Sequence, residues 1–274
     1  MTINCNGELI DLKTPKVMGI LNVTPDSFFD GGKFKDEKKA LTQVEKMIME
    51  GATFIDIGAY SSRPGASEVS ETLELQRITP VVELILKHFP DTLLSIDTFR
   101  GKVAKECIAR GAVIINDISA GLRDETLLDT VARLRVPYIM MHMRGTPKTM
   151  QEQTNYQHLL QDILVFFSER LSMARSKGIY DVIIDPGFGF AKTLAQNYEL
   201  LKQLDALNIT DCPILVGLSR KSMIYKLLET DAKNALNGTT ALHMFALTKG
   251  AHILRVHDVG EAVECVKLYA QLSS

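Results

Sequence analysis

The chain has 274 residues, 46% of them hydrophobic, and a formal net charge of −2 from 31 basic and 33 acidic side chains. That length suits one barrel-sized domain of roughly 250 residues, and the mixed charge excludes a dominant nucleic-acid or anionic-membrane surface. The apolar runs are too short to span a bilayer. The start, Met1-Thr2-Ile3-Asn4-Cys5, lacks the basic and apolar parts of a secretory signal, and four scattered cysteines without a CxxC pair read as reduced thiols of a cytoplasmic protein.

Residues 3–12 predict a hairpin turning at Asn6-Gly7. Eight short apolar runs follow, at 17–21, 53–57, 92–96, 113–115, 136–141, 181–184, 213–216 and 251–256. A continuous apolar run is how a parallel strand reads when both of its faces are covered. Helical spacing lies between the runs. The first helix is expected from near Asp36 to Gly51, with Ala40, Leu41, Val44, Met47 and Ile48 facing inward. The second is expected after Ser70 as N-cap, with Pro80 placed to kink or divide it. Further helices are expected at 102–110, after a cap at Asp124, at 156–177, at 194–207, within 219–230, at 239–249 and from about Asp258. Eight strand–helix units predict an α/β fold, a (β/α)8 TIM barrel in a single domain over 1–274, with the N-terminal hairpin closing the bottom.

In such a barrel the active site lies at the C-terminal ends of the strands. Asp97, Asn116 and Asp185 stand at three of these ends. Two carboxylates and an amide can read the donor–acceptor edge of a flat nitrogen heterocycle, whereas each one alone reads equally as a local cap. Asn22, Arg63, Arg255 and His257 follow three other strands and suit a phosphate or diphosphate, with Mg2+ as an expected helper. Arg255 lies inside an apolar run, where an unpaired guanidinium would be costly, so it is expected to point towards the pocket mouth. Ser219-Arg220-Lys221-Ser222 opens a helix whose free N–H groups could take a carboxylate, with Lys221 turned inward; the plainer alternative is a Ser cap with two solvated bases. Met140, Met141 and Met143 read as packing or as an apolar slot, and His142 as structural or catalytic with equal weight. Phe190 could stack on an aromatic ligand. The segments 23–32 and 61–67 are rich in Gly, Pro, Ser and Asp, as functional loops are. Neither a Ser-His-Asp pattern nor a zinc-ligand motif is present.

These motifs, taken in order, resemble the dihydropteroate synthase family over nearly the whole chain. The resemblance rests on Met18-Gly-Ile-Leu-Asn-Val-Thr-Pro-Asp-Ser-Phe28, Asp30-Gly-Gly32, Ser62-Arg-Pro-Gly-Ala66, Ser95-Ile-Asp-Thr98, Ile115-Asn-Asp117, Met141-His-Met143 with Gly145-Thr-Pro147, Asp185-Pro-Gly-Phe-Gly-Phe190, Gly217 with Ser219-Arg-Lys-Ser222, and Arg255-Val-His257. It implies that 4-aminobenzoate displaces diphosphate from (7,8-dihydropterin-6-yl)methyl diphosphate, through an SN1-like methylene cation. It places Asp97, Asn116, Asp185, Lys221, Met140 and Gly217 on the pterin, and Ser62, Arg63, Arg255 and His257 on the diphosphate. Phe28, Pro64, Phe190 and Ser222 would surround the aminobenzoate, Asn22 would touch Mg2+, and Asp30, Lys221 and Arg63 would be the catalytic set. It also implies small-molecule substrates and a homodimer. The family usually has Gly-Gly-Glu-Ser-Thr-Arg-Pro-Gly in the second loop. Here Gly58-Ala-Tyr-Ser-Ser-Arg-Pro-Gly65 puts Tyr60 in place of a carboxylate, and Ser62 keeps the hydroxyl without the methyl. Two other readings share the pocket: a pterin-binding domain passing a methyl group to a corrinoid, and a non-catalytic pterin-binding paralogue. Arg63, Arg255 and 219–222 speak against the first, and the retained diphosphate and metal residues speak against the second.

Overall fold

The computed structural model describes residues 1–23, 33–60 and 69–273, leaving aside the side chains of 33–36. β1 (Thr2–Cys5) and β2 (Glu8–Asp11) pair antiparallel, with Cys5 opposite Glu8. Asn6 and Gly7 between them take φ 53° and 93°. Two successive left-handed residues make a turn whose twist matches a hairpin, and Asn-Gly tolerates it best. The hairpin buries Ile3, Cys5, Ile10 and Leu12 against Met18, Phe54, Ile114, Ile139, Ile183, Leu215 and Ile253. These are inward residues of the strands that follow, so the hairpin closes the lower end as expected.

Those strands are β3 (Lys16–Asn22), β4 (Phe54–Gly58), β5 (Leu93–Asp97), β6 (Ile114–Asp117), β7 (Tyr138–Met141), β8 (Val182–Asp185), β9 (Leu215–Val216) and β10 (Ile253–Val256). All pair in parallel and in chain order, and β10 returns to β3. A bridge between Ile184 and Ile214 closes the last gap. The prolines explain two short strands. Pro137 and Pro213 offer carbonyls to Ile115 and Ile184 at 3.1 and 2.9 Å, but they have no N–H to extend β7 or β9.

The helices are α1 (Lys33–Met49), α2 (Glu71–His88), α3 (Gly101–Ile108), α4 (Leu127–Leu134), α5 (Leu159–Ser176), α6 (Leu194–Lys202), α7 (Ser222–Tyr225), α8 (Leu236–Thr248) and α9 (Val259–Ser273). Ala40, Val44 and Met47 bury the inner face of α1, but Ile48 is exposed, so the apolar stripe is narrower than expected. Gly19 lets α1 approach: a Cβ there would stand 2.5 Å from Met47 Sδ. Ser70 caps α2 by accepting from Leu73 N–H at 3.2 Å, and Pro80 sits inside the helix without dividing it. Asp124 is not the N-cap of α4; Thr126 is. Asp124 accepts instead from Thr126 N–H at 2.9 Å and Gly101 N–H at 2.7 Å, tying the starts of α3 and α4 together. The sixth helix stops at Lys202 and tightens into a 3-10 stretch over Leu204–Thr210. No described helix is long and apolar enough to cross a membrane. All four cysteines are free and buried.

Candidate active site

Strand alternation decides which side chains meet at the barrel axis. Asp97, Asn116, Asp185, Gly217 and Arg255 all point inward near the C-terminal ends and line one pocket with Lys221, Ile118, Met141 and Phe190. The same alternation corrects one expectation. Tyr138 and Met140 face the helix layer, where Met140 is fully buried, while Ile139 and Met141 face the axis. Met141, not Met140, therefore reaches the pocket.

Beneath the pocket lies Asp56 on β4, fully buried. Its Oδ2 accepts from Asn116 Nδ2 at 2.9 Å and from Arg255 Nε at 2.6 Å. Arg255 Nη2 donates to Asp97 Oδ2 at 2.9 Å. The guanidinium therefore lies across the barrel between two carboxylates rather than standing at the mouth, because two buried acids hold it there. Its Nη1 has no partner among the described residues. Asp56 Oδ1 and Ser95 Oγ, on neighbouring strands, are buried without a partner among the described residues. Burial pushes Asp97 up to about 7, against the pull of Arg255 and with help from Asp56, Glu74 and Asp117. Glu74, from α2, accepts from Thr98 Oγ1 at 2.6 Å and pairs with Arg100, buttressing the backbone just after Asp97.

Asp185 is raised by burial, with Lys221 opposing. Its Oδ1 accepts from Gly187 N–H at 2.7 Å. Lys221 reaches the pocket because Arg220 takes φ 54° and turns the chain. The Arg220 side chain leaves the site and forks onto Asp258 at 2.7 and 2.8 Å. Lys221 Nζ donates to Phe188 O at 2.5 Å and stands 4.8 Å from the Phe190 ring centroid. Burial lowers it to about 8, with Asp185 working the other way and Arg255 adding to the fall. Such an ammonium facing a carboxylate is a paired donor and acceptor for one heterocycle edge. At Gly217 a Cβ would stand 3.8 Å from Lys221 Nζ, inside this space.

His257 lies at the rim, exposed, with Nδ1 3.0 Å from Ser219 Oγ. Ser222 is half-buried at the start of α7, and Asn22 is half-buried at the end of β3. Phe28, Asp30, Ser62, Arg63 and Pro64, with the two loops that carry them, lie outside the described residues. Asn116 faces the pocket, but its neighbour Asp117 faces outward. Asp117 accepts from Ser119 N–H at 2.8 Å, Ser119 Oγ at 2.7 Å, Gly121 N–H at 2.5 Å and Tyr138 Oη at 2.7 Å. It is a satisfied structural acid. His142 is structural too: it is buried, and burial and Lys192 hold it down to about 2.

Tyr60 is buried at the end of β4. Its ring meets Phe99 edge-on at 5.4 Å, and its hydroxyl accepts from Arg123 Nη1 at 3.1 Å. Arg123 also lies 3.8 Å over Phe99. An aromatic–guanidinium cluster thus stands at this departure from the family pattern, and it belongs to the apolar collar with Ile118, Met141, Met143, Met150 and Ala191.

Asp56 was missed in the sequence. The signal that singled out Arg255, a charge inside an apolar strand, was equally present in Phe54-Ile-Asp-Ile-Gly58.

Two acids, an amide, an ammonium and a guanidinium converging at the strand ends present the donors and acceptors that a polar heterocycle could pair with. The model of the pterin binding enzyme family matches residues 18–257, and the chain belongs to that family. It is 44% identical to the dihydropteroate synthase of Haemophilus influenzae over 271 residues, 98% of each chain. A crystal structure of Yersinia pestis dihydropteroate synthase in a sulfonamide drug complex superposes with a TM-score of 0.93 at 44% identity, covering 100% of both chains. The Xanthomonas albilineans dihydropteroate synthase with 4-aminobenzoic acid superposes at 0.92 and 38% identity, covering 100% of this chain and 98% of that one.

Proposed function

We propose that this chain is a dihydropteroate synthase in which the groups around the pocket divide the reaction between them. The observation that carries the reading is the set Asp97, Asn116, Asp185 and Lys221 around one pocket, with Arg255 across it. Asp185 and Lys221 take the aminopyrimidine edge of the pterin: Oδ1 is already held by Gly187 N–H, so Oδ2 is the oxygen left for ligand N–H groups. Asn116, fixed by Asp56, presents its carbonyl oxygen, and Asp97 accepts a ring N–H. Met141, Ile118 and Gly217 form the walls.

The methylene–oxygen bond breaks, and its electron pair leaves with the diphosphate. The pterin ring delocalises the positive charge, the resemblance assigns Asp30 to the developing cation, and the aniline nitrogen of 4-aminobenzoate forms the new bond and then releases its proton to solvent. Arg255 Nη1, His257, Ser62 and Arg63 take the charge that grows on the diphosphate. Phe28, Pro64, Phe190 and Ser222 form the aminobenzoate slot.

Mg2+ fits this site through Asn22, a neutral oxygen donor at the rim whose amide bonds no described residue. A hydrated ion that takes most of its remaining ligands from diphosphate needs little more from the protein, and it would supply charge neutralisation to the leaving group.

The protein acts in the cytoplasm as a homodimer, for which Phe245 on α8 and Leu268 and Leu272 on α9 offer exposed apolar side chains. Incubation with the pterin diphosphate, 4-aminobenzoate and Mg2+ is expected to give 7,8-dihydropteroate and diphosphate in equal amounts. Absence of product from folded protein rejects the reading; methyl transfer to a corrinoid protein replaces it.

A further inference from the structure

Lys192 is buried, 3% exposed, yet bonds no carboxylate. Its Nζ has three neighbours at 3.0 Å: His142 Nδ1, Gly187 O and Phe190 O. Three acceptors match the three N–H groups of an ammonium. A buried cation without a paired anion is costly, so three acceptors must converge for it to persist. The turn after β8 makes them converge. Gly187, Gly189 and Ala191 take φ 69°, 82° and 50°, and this alternation folds the carbonyls of 187 and 190 to one side. On the other side Phe188 O faces Lys221. One turn thus sits between two ammonium groups, an inner one it encloses and an outer one it presents to the pocket.

We propose that Lys192 is a positioning residue for the pterin end of the site, its ammonium setting the curvature of the 186–191 turn and, through Phe188 O and the Phe190 ring, the place of Lys221. The inference rests on the reading of Lys221 as a pterin contact. The groups facing Lys192 bear it out. Just after β7 comes His142, kept neutral and boxed by Phe166 at 4.8 Å, Tyr156 and Phe167. Tyr156 Oη holds Ala191 O at 3.0 Å. Asn197 on α6 takes Gly189 N–H at 2.7 Å. Burial lowers Lys192 to about 7, Asp185 works the other way, and Lys221 and Arg144 add to the fall, so the three acceptors are what hold the ammonium. Phe190 N–H also donates to Gly187 O at 3.1 Å, so that carbonyl takes one bond from the turn and one from Lys192.

The test compares two ligands of the folded protein, 6-hydroxymethylpterin and inorganic diphosphate with Mg2+. Lys192→Met is expected to weaken the pterin tenfold or more while leaving diphosphate within twofold, because Arg255 and His257 belong to the end of β10 and bond Asp56, Asp97 and Ser219 rather than Lys192 or its turn. Equal losses for both ligands, or none with only a lower Tm, overturn the proposal. Lys192→Ala with added n-propylammonium is expected to recover pterin affinity as the ion refills the space left by the side chain; no recovery counts against it. Should neither variant fold, nitrogen NMR of His142 in the wild-type protein decides: an unprotonated Nδ1 is required, and a protonated one overturns the assignment. A wild-type protein that binds the pterin but makes no dihydropteroate would fail the functional reading and leave this one standing.

Discussion

At the scale of single residues, the pocket is a set of acids whose charge is set by what surrounds them. Asp185→Asn keeps the shape but replaces one carboxylate oxygen by a donor. Binding of 6-hydroxymethylpterin should weaken by about 1.5–3 kcal/mol, the worth of a charge-assisted hydrogen bond, and calorimetry on folded variant reads it directly. Asp97 gives a pH dependence. Its folded value is raised to about 7, chiefly by burial, and the carboxylate accepts a ring N–H about twice as strongly as the neutral carboxyl does. Pterin affinity should therefore be full above that value and fall as pH drops through it, and Asp97→Asn should flatten this acid limb. A limb unchanged in the variant would assign it to another group. Arg255 holds Asp97 and Asp56 together, so Arg255→Ala should cost both bare pterin and diphosphate affinity. From the sequence alone, with Arg255 at the mouth, only diphosphate would have suffered. Parallel titrations with the two ligands separate these outcomes.

At the scale of elements, strands were legible because both faces of a parallel strand are covered, leaving apolar runs that end where the chain reaches the site. Their polar ends gave Asp97, Asn116, Asp185 and Arg255. What stayed hidden is what alternation and turn geometry decide. Met140 and Met141 are chemically alike, and only the phase of β7 tells which one faces the axis. Asp124 read as a cap because it precedes a helix, but its second partner, Gly101 N–H, lies 23 residues away and no local pattern reveals it. Lys192 was invisible for the same reason: its acceptors exist only once the turn has folded. Gly187 shows how tight that turn is. It has φ 69°, and a Cβ there would lie 2.1 Å from the carbonyl oxygen of His142, a backbone atom that cannot swing aside. Gly187→Ala should cost about 1–3 kcal/mol in stability from overpacking alone, with strain added by the positive φ, and it should displace Asp185 as well. Denaturant unfolding alongside pterin titration checks both; a stable variant with native affinity would show that the turn is not tightly held.

At the scale of the whole molecule, chemistry and stability sit at opposite ends of one barrel. The strand tops carry ionisable groups, and just beneath them Asp56 Oδ1 and Ser95 Oγ are buried without a partner among the described residues, while the bottom is sealed by apolar contact with the hairpin. Strand tops made this polar cost stability, and the lower layer offsets that cost. Leu12 is the test, because it is fully buried just past β2, among Met18, Phe54, Ile139 and Ile183, and has no route to the pocket except through the barrel itself. Leu12→Ala removes its branched end and leaves a cavity, which should lower stability by about 2–5 kcal/mol. Because the strands keep their register through backbone pairing rather than through the plug, kcat and KM measured well below the new Tm should stay within about twofold of the parent, a change worth only ~0.4 kcal/mol in barrier. A large fall in kcat at temperatures where circular dichroism shows the variant folded would mean that the lower layer tunes the site as well as supporting it.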